Sequence, residues 1–266
     1  MRIILKFLRL TIRTLIRDRI FLVISSLSIL FLSIPVFSSF SMRQSQEVGI
    51  TMCLTINSFL LLLLSIFSGV STTWRDIEKR SVYTFLSYPI SRSEYLIGRF
   101  LGCILLLFII SAIDMAVSIP IIKICARMYK SDLSIAWTNI FLAYLLIFLK
   151  YTLLTSISFL IISFATSFFT PFFLTIACYI GGNSIQSIFD YISKEASKNY
   201  PFWFKGIIKC IYYIFPNLSS FDLIPYAAYS LKINPYSIFI TVLYSVIYTI
   251  IMLSLSCIIF SKRDLI

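Results

Sequence analysis

The sequence predicts an all-α, polytopic membrane protein of six transmembrane helices, and three observations predict it. Of 266 residues, 59% are hydrophobic and only 13% charged, with a mean hydropathy of +0.94. The apolar residues gather into six long runs, each at least the ~20 residues that a bilayer crossing needs. The basic residues that give the net charge of +12 lie mainly between and beside those runs, as membrane topology requires. A water-soluble core of this length cannot absorb so much apolar surface, and in lipid each run satisfies its own backbone only as a helix.

The chain opens with Arg2, Lys6, Arg9, Arg13 and Arg17 recurring every three or four residues, with Ile3, Leu5, Leu8, Leu10, Ile12 and Leu15 on the other side. This predicts an amphipathic helix over residues 1–19 lying on an anionic membrane surface. The segment is too basic throughout for a cleavable signal peptide, so it is expected to be retained. The six apolar runs fall at residues 20–41, 50–73, 98–125, 137–164, 166–187 and 236–260. The fourth and fifth are joined by a residue or two, so they read as a tight hairpin turning near Ser163, Thr166 and Ser167.

With the N-terminus inside, the basic residues of the inner segments (the first nineteen residues, the Trp74 to Arg99 connector and the C-terminus) are denser and closer to the spans than those outside. The positive-inside rule then places both termini and that connector in the cytoplasm of a cell-membrane protein. The long outer segment 188–235 contains PFWFKGIIKCIYYIFP, Pro201 to Pro216, whose Trp, Tyr and Lys content suits an interfacial or re-entrant helix. Using it with 218–231 as two further crossings is the alternative arrangement.

Within the connector, Asp76, Glu78, Lys79 and Arg80 begin a short amphipathic helix whose apolar side is Ile77, Val82, Phe85 and Leu86. Pro89 ends it, because the residue before a proline avoids the helical region. Ser91 and Glu94 then have the spacing of a capping box opening the third span. Gly98 and Gly102 form a GxxxG pair, suited either to close helix packing or to the start of that span.

The string from Trp74 to Gly102 resembles the signature of the type-2 branch of ATP-binding-cassette (ABC) exporter permeases. There an acidic residue precedes a short helix, followed by a leucine-leucine-serine-x-proline turn, a serine-arginine pair and a glycine-rich start to the next span. The matching positions here are Glu78, then Phe85, Leu86, Ser87, Tyr88 and Pro89, then Ser91 and Arg92, then Gly98 and Gly102. Ser81 stands where the family often has glycine. The basic N-terminal helix, six spans, aromatic outer segment and the ending from Phe260 extend the likeness over essentially the whole chain, although only Trp74 to Gly102 is specific. The resemblance implies that residues 76–89 form a coupling helix docked on a separate cytoplasmic ATP-binding subunit. Asp76, Glu78, Arg80, Tyr83, Leu86, Pro89 and Arg92 would be its contact residues. It also implies a second permease, either another copy or a paralogue, and leaves the transported molecule open.

Two charges fall inside spans, Asp114 and Lys150, and intramembrane charges are functional candidates by default. On adjacent antiparallel helices their depths differ by only ~3 Å at 1.5 Å per residue, so an ion pair between the third and fourth spans is expected. Pro120 and Pro171 should kink their helices, and Gly181, Gly182 and Asn183 should loosen the fifth span near its outer end.

The chemistry points away from an enzyme. There is no histidine, which removes most zinc sites and Ser-His-Asp hydrolysis. No phosphate-cradling glycine loop precedes a lysine, and the six cysteines are scattered without CxxC pairing, as inert small hydrophobes would be. No cofactor is called for, and the basic residues form no aromatic-interleaved groove for nucleic acid. A membrane aspartyl protease needs two facing aspartates and only Asp114 lies in a span. A channel or ion-coupled secondary transporter would favour charges in several spans and broken helices in matched halves. A non-transporting assembly factor is a third alternative.

Overall fold

The computed structural model describes residues 19–41, 44–78, 91–129, 134–194, 203, 206, 209–212 and 215–262. The expected in-plane helix over 1–19, apart from Arg19, and the connector from 79 to 90 lie outside them. The regular elements are α1 (Arg19–Ser26), a 3-10 helix (Leu27–Ser33), α2 (Ile34–Ser39), α3 (Ser45–Glu78), α4 (Arg92–Met128) and α5 (Trp137–Phe164). They continue with α6 (Phe169–Lys194), a short 3-10 turn (Ser219–Phe221), α7 (Ile224–Ala228) and α8 (Pro235–Lys262). Six of these segments are long and apolar enough to cross a bilayer: Leu22–Ser39, Ser45–Val70, Arg92–Met128, Trp137–Phe164, Phe169–Ile192 and Pro235–Lys262.

The spans run alternately up and down between two ends. At one, the connector end, Arg92 reaches the Ser261 carbonyl and Tyr95 stacks on Phe260. At the other, the cap end, Ser38 and Ser45 meet Cys125, and Asn139 meets residues 226 and 231. Arg19 and Lys262 therefore belong to the same end of the bundle.

The first span is not one helix. α1 gives way to the 3-10 helix and then to α2, with Pro35 in its first turn, where a missing N–H costs nothing. Along this span Ser26, Ser33 and Ser39 each donate to the carbonyl three residues back at 2.7 Å. Such back-bonding competes with the α-helical ladder and keeps freed carbonyls satisfied in lipid.

α3 and α4 are longer than expected. The 34 residues of α3 span ~51 Å at 1.5 Å per residue, against a hydrocarbon thickness of ~30 Å. Its last two turns therefore project beyond the span at the connector end. Asp76 accordingly ends a continuous membrane helix and does not begin a separate one. α4 starts at Arg92, ahead of the apolar run that begins at 98, where the expected capping box forms: Ser91 Oγ accepts from the Glu94 amide at 3.2 Å, and the Ser91 amide donates to Glu94 Oε2 at 3.0 Å. Pro120 lies within an unbroken α4. Pro171 sits in the first turn of α6, where it has no helical hydrogen bond to remove, so the kink expected there does not arise.

α5 is the central helix. Of its span 78% is buried, against 6% for α8 and 17% for α6. It packs on α3 most closely at Gly69, where a β-carbon would lie 2.2 Å from Ser158 Oγ. Only the missing side chain permits that approach. α8 packs along α5 and is tied to it by serines: Ser256 Oγ donates to the Phe159 carbonyl at 2.9 Å and lies 2.6 Å from Ser163 Oγ.

Residues 215–234 fold back over the cap end. Leu218, Phe221, Ala227 and Ala228 are buried, and α7 has five residues, far short of the ~20 needed to cross. The alternative of two extra spans is thus replaced, for 218–231, by a plug held by polar clamps. Asn139 Nδ2 donates to the Tyr226 and Leu231 carbonyls at 3.0 and 2.9 Å, and the Leu218 amide donates to the Gly182 carbonyl at 3.0 Å. Gly182 does not loosen α6. A β-carbon there would lie 2.8 Å from both Leu218 Cγ and the Pro216 carbonyl oxygen, so the glycine admits the returning chain.

Candidate functional site

The first candidate lies at the connector end. Asp76, on the projecting part of α3, faces Tyr95 and Arg99, one turn apart on α4. The Tyr95 hydroxyl donates to Asp76 Oδ2 at 2.5 Å, and Arg99 Nη2 pairs with the same oxygen. Arg99 is 2% and Asp76 16% exposed, so the ion pair is largely withdrawn from water. The Arg99 guanidinium also lies 5.7 Å from the centroid of the Tyr95 ring, and the other face of the cluster is closed by Phe260, 6.3 Å away in a stacked arrangement with Tyr95. Arg92 Nη1 donates to the Ser261 carbonyl at 3.3 Å, adding a tie to the last helix. The ends of α3, α4 and α8 are thereby clamped where residues 79–90 leave and return.

Of the coupling residues expected from sequence, Asp76 and Arg92 belong to this clamp. Glu78 is the last residue of α3. Arg80, Tyr83, Leu86 and Pro89 lie outside the described residues. Gly98 and Gly102 are buried on α4. Tyr95, Arg99 and Phe260 are the members that sequence reasoning missed. The signal available was the four-residue spacing of Tyr95 and Arg99, which puts a hydroxyl and a guanidinium on one helix face next to the only aspartate of the connector.

The second candidate lies within the bundle toward the cap end. A cavity of about 300 Å³ is lined by Lys150, Tyr179, Asn183, Ser58, Ser219 and Asp222, with three apolar neighbours. Lys150 is only 8% exposed. Its Nζ donates to Asn183 Oδ1 at 2.8 Å and lies 6.0 and 5.6 Å from the ring centroids of Tyr151 and Tyr179, within cation–π reach. Tyr151 is itself positioned by Ser58, at 2.6 Å between oxygens.

The expected Asp114–Lys150 ion pair is not formed. Asp114, 1% exposed, accepts from Ser28 Oγ at 3.4 Å, while Lys150 turns to Asn183. Neither the register nor the rotation of the two helices was readable from depth counted along the sequence, and the two charges face different neighbours. Ser28 became available because the first span breaks into a 3-10 helix beside α4. Asn183 was singled out only as a loosening residue of the fifth span, because its role as a partner depends on which face of α6 turns to α5.

Six helices long and apolar enough to cross a bilayer, with the roots of the connector clamped together and a polar cavity inside the bundle, define a polytopic membrane protein. A model of the family described as ABC-2 family transporter protein matches residues 7–265. The chain belongs to that family: it is a multi-pass membrane permease of the ABC-2 type. A search of curated proteins finds none that matches the chain.

Proposed function

We propose that this chain is the permease subunit of an ABC exporter, driven by ATP hydrolysed on a separate cytoplasmic ATP-binding subunit. The observation that carries the reading is the Asp76–Tyr95–Arg99 clamp in a chain matched by the ABC-2 family along residues 7–265. A short connector can transmit a push from a soluble motor only if both of its roots are rigid, and this clamp ties the two roots to each other and to α8. Residues 76–89 dock on the motor, with Glu78, Arg80, Tyr83, Leu86, Pro89 and Arg92 at the contact. The connector and both termini are cytoplasmic, in the cell membrane, as the distribution of Lys and Arg supports. Two permeases, identical or paralogous, enclose the path, with membrane lipid around them. The apolar faces left open on α6 and α8 suit such neighbours.

Capture of the tagged chain from membranes tests this. An ABC ATP-binding subunit is expected to co-purify, and Glu78→Ala or Leu86→Ala should cut its recovery about tenfold while the permease still elutes as a folded species. Undiminished recovery from both variants would remove the coupling role. No ATPase in the wild-type eluate would remove the exporter reading.

A further inference from the structure

The cavity around Lys150 has a feature that neither the family nor the coupling reading uses: it holds one charge of each sign, unpaired with the other. Lys150 and Asp222 both line it, yet among the described residues no ion pair joins them. Among the described residues Lys150 is held by the Asn183 amide and the ring faces of Tyr151 and Tyr179, and Asp222 by one backbone amide. Lys150 Nζ donates to Asn183, leaving two of the ammonium's three N–H donors. Asp222 Oδ1 accepts from the Ile224 amide at 3.1 Å, leaving Oδ2 for another donor. Lys150 is the buried member and Asp222 the exposed one, so the positive charge sits deep and the negative charge at the rim.

The polar groups between them, Ser58, Tyr179 and Ser219, can donate or accept. A buried ammonium with unused donors is costly unless an acceptor of opposite charge reaches it. A simple anion would gain that contact but would pass and then sit near the Asp222 carboxylate. A molecule with both charges satisfies both ends and leaves the cavity neutral. We propose that this cavity binds a zwitterionic head group, its phosphate or carboxylate on Lys150 and its ammonium on Asp222. Two sources share that chemistry: the phosphoethanolamine head of a lipid, and a free amino acid or short peptide.

The test uses the full chain alone in detergent, so its outcome is separate from that of the ATPase capture. Native mass spectrometry reads retention of dioleoyl phosphatidylethanolamine against dioleoyl phosphatidylglycerol offered at equal concentration. In a second arm it reads alanyl-alanine against N-acetylalanine. The zwitterion of at least one arm should be held about tenfold over its anionic counterpart, the scale of one charge-assisted hydrogen bond, and the arm that shows it identifies the source. Lys150→Met should abolish retention. Asp222→Lys, an exposed change that leaves the bundle intact, should invert the preference toward the anion. Equal retention of zwitterion and anion, no retention in either arm, or a preference unchanged in Asp222→Lys would each overturn the proposal.

Discussion

Asp76 and Arg99 behave at the bilayer edge as a single unit. Removing one partner of a buried pair strands the other, at a cost of about 3–5 kcal/mol, whereas replacing both is far milder. Asp76→Asn and Arg99→Met should therefore each lower the thermal unfolding temperature in detergent sharply, and the double variant should recover most of the loss. A double variant no more stable than Arg99→Met alone would disprove the pairing. Gly69 offers a second residue-scale experiment. Gly69→Ala places a methyl against Ser158 Oγ, and overpacking of this kind costs about 1–3 kcal/mol. Ser158→Ala in the same chain should restore the melting temperature by removing the clashing oxygen. At this scale the sequence was only partly legible. Charges inside spans announce themselves by cost, which singled out Asp114 and Lys150, and both are buried. Their partners depend on how the helices are rotated and set in register, which hydropathy does not report.

Elements were more legible, and the misreadings have local causes. Hydropathy located every span, but it senses lipid and not helix, so it ended the second run where polar residues begin although α3 continues to Glu78. The Ser91–Glu94 spacing located the start of α4 better than hydropathy did, because a cap is a specific hydrogen-bonded geometry. The break in the first span, along which several serines bond locally, leaves no mark on hydropathy averaged over a long window. The plug over the cap end was hardest, since its anchors are single polar atoms on distant helices. Asn139 is the main one, donating to two plug carbonyls. Asn139→Leu should raise amide hydrogen exchange through 224–234 by at least tenfold while leaving α5 protected. Exchange confined to its wild-type rate would show that apolar burial alone holds the plug.

For the molecule as a whole, the even number of crossings places Arg19 and Lys262 at one end with the connector. Cys210 is exposed on the opposite segment, which gives a built-in reporter of sidedness. A membrane-impermeant maleimide added to intact cells should label Cys210 in the native chain. In a Cys210→Ser background it should fail to label a cysteine introduced at Ser81. Labelling at Ser81 from outside would invert the topology and take the connector away from any cytoplasmic motor.

The open outer face of α8 has a practical corollary. A rod packed on α5 and α4 along one side, with the rest of its circumference wetted by hydrocarbon, depends on whatever amphiphile surrounds it for its lateral support. Solubilisation in short-chain detergents should therefore detach this C-terminal rod first. Its amides should exchange well before those of α5, and the harm should be reversed by returning the protein to long-chain lipid.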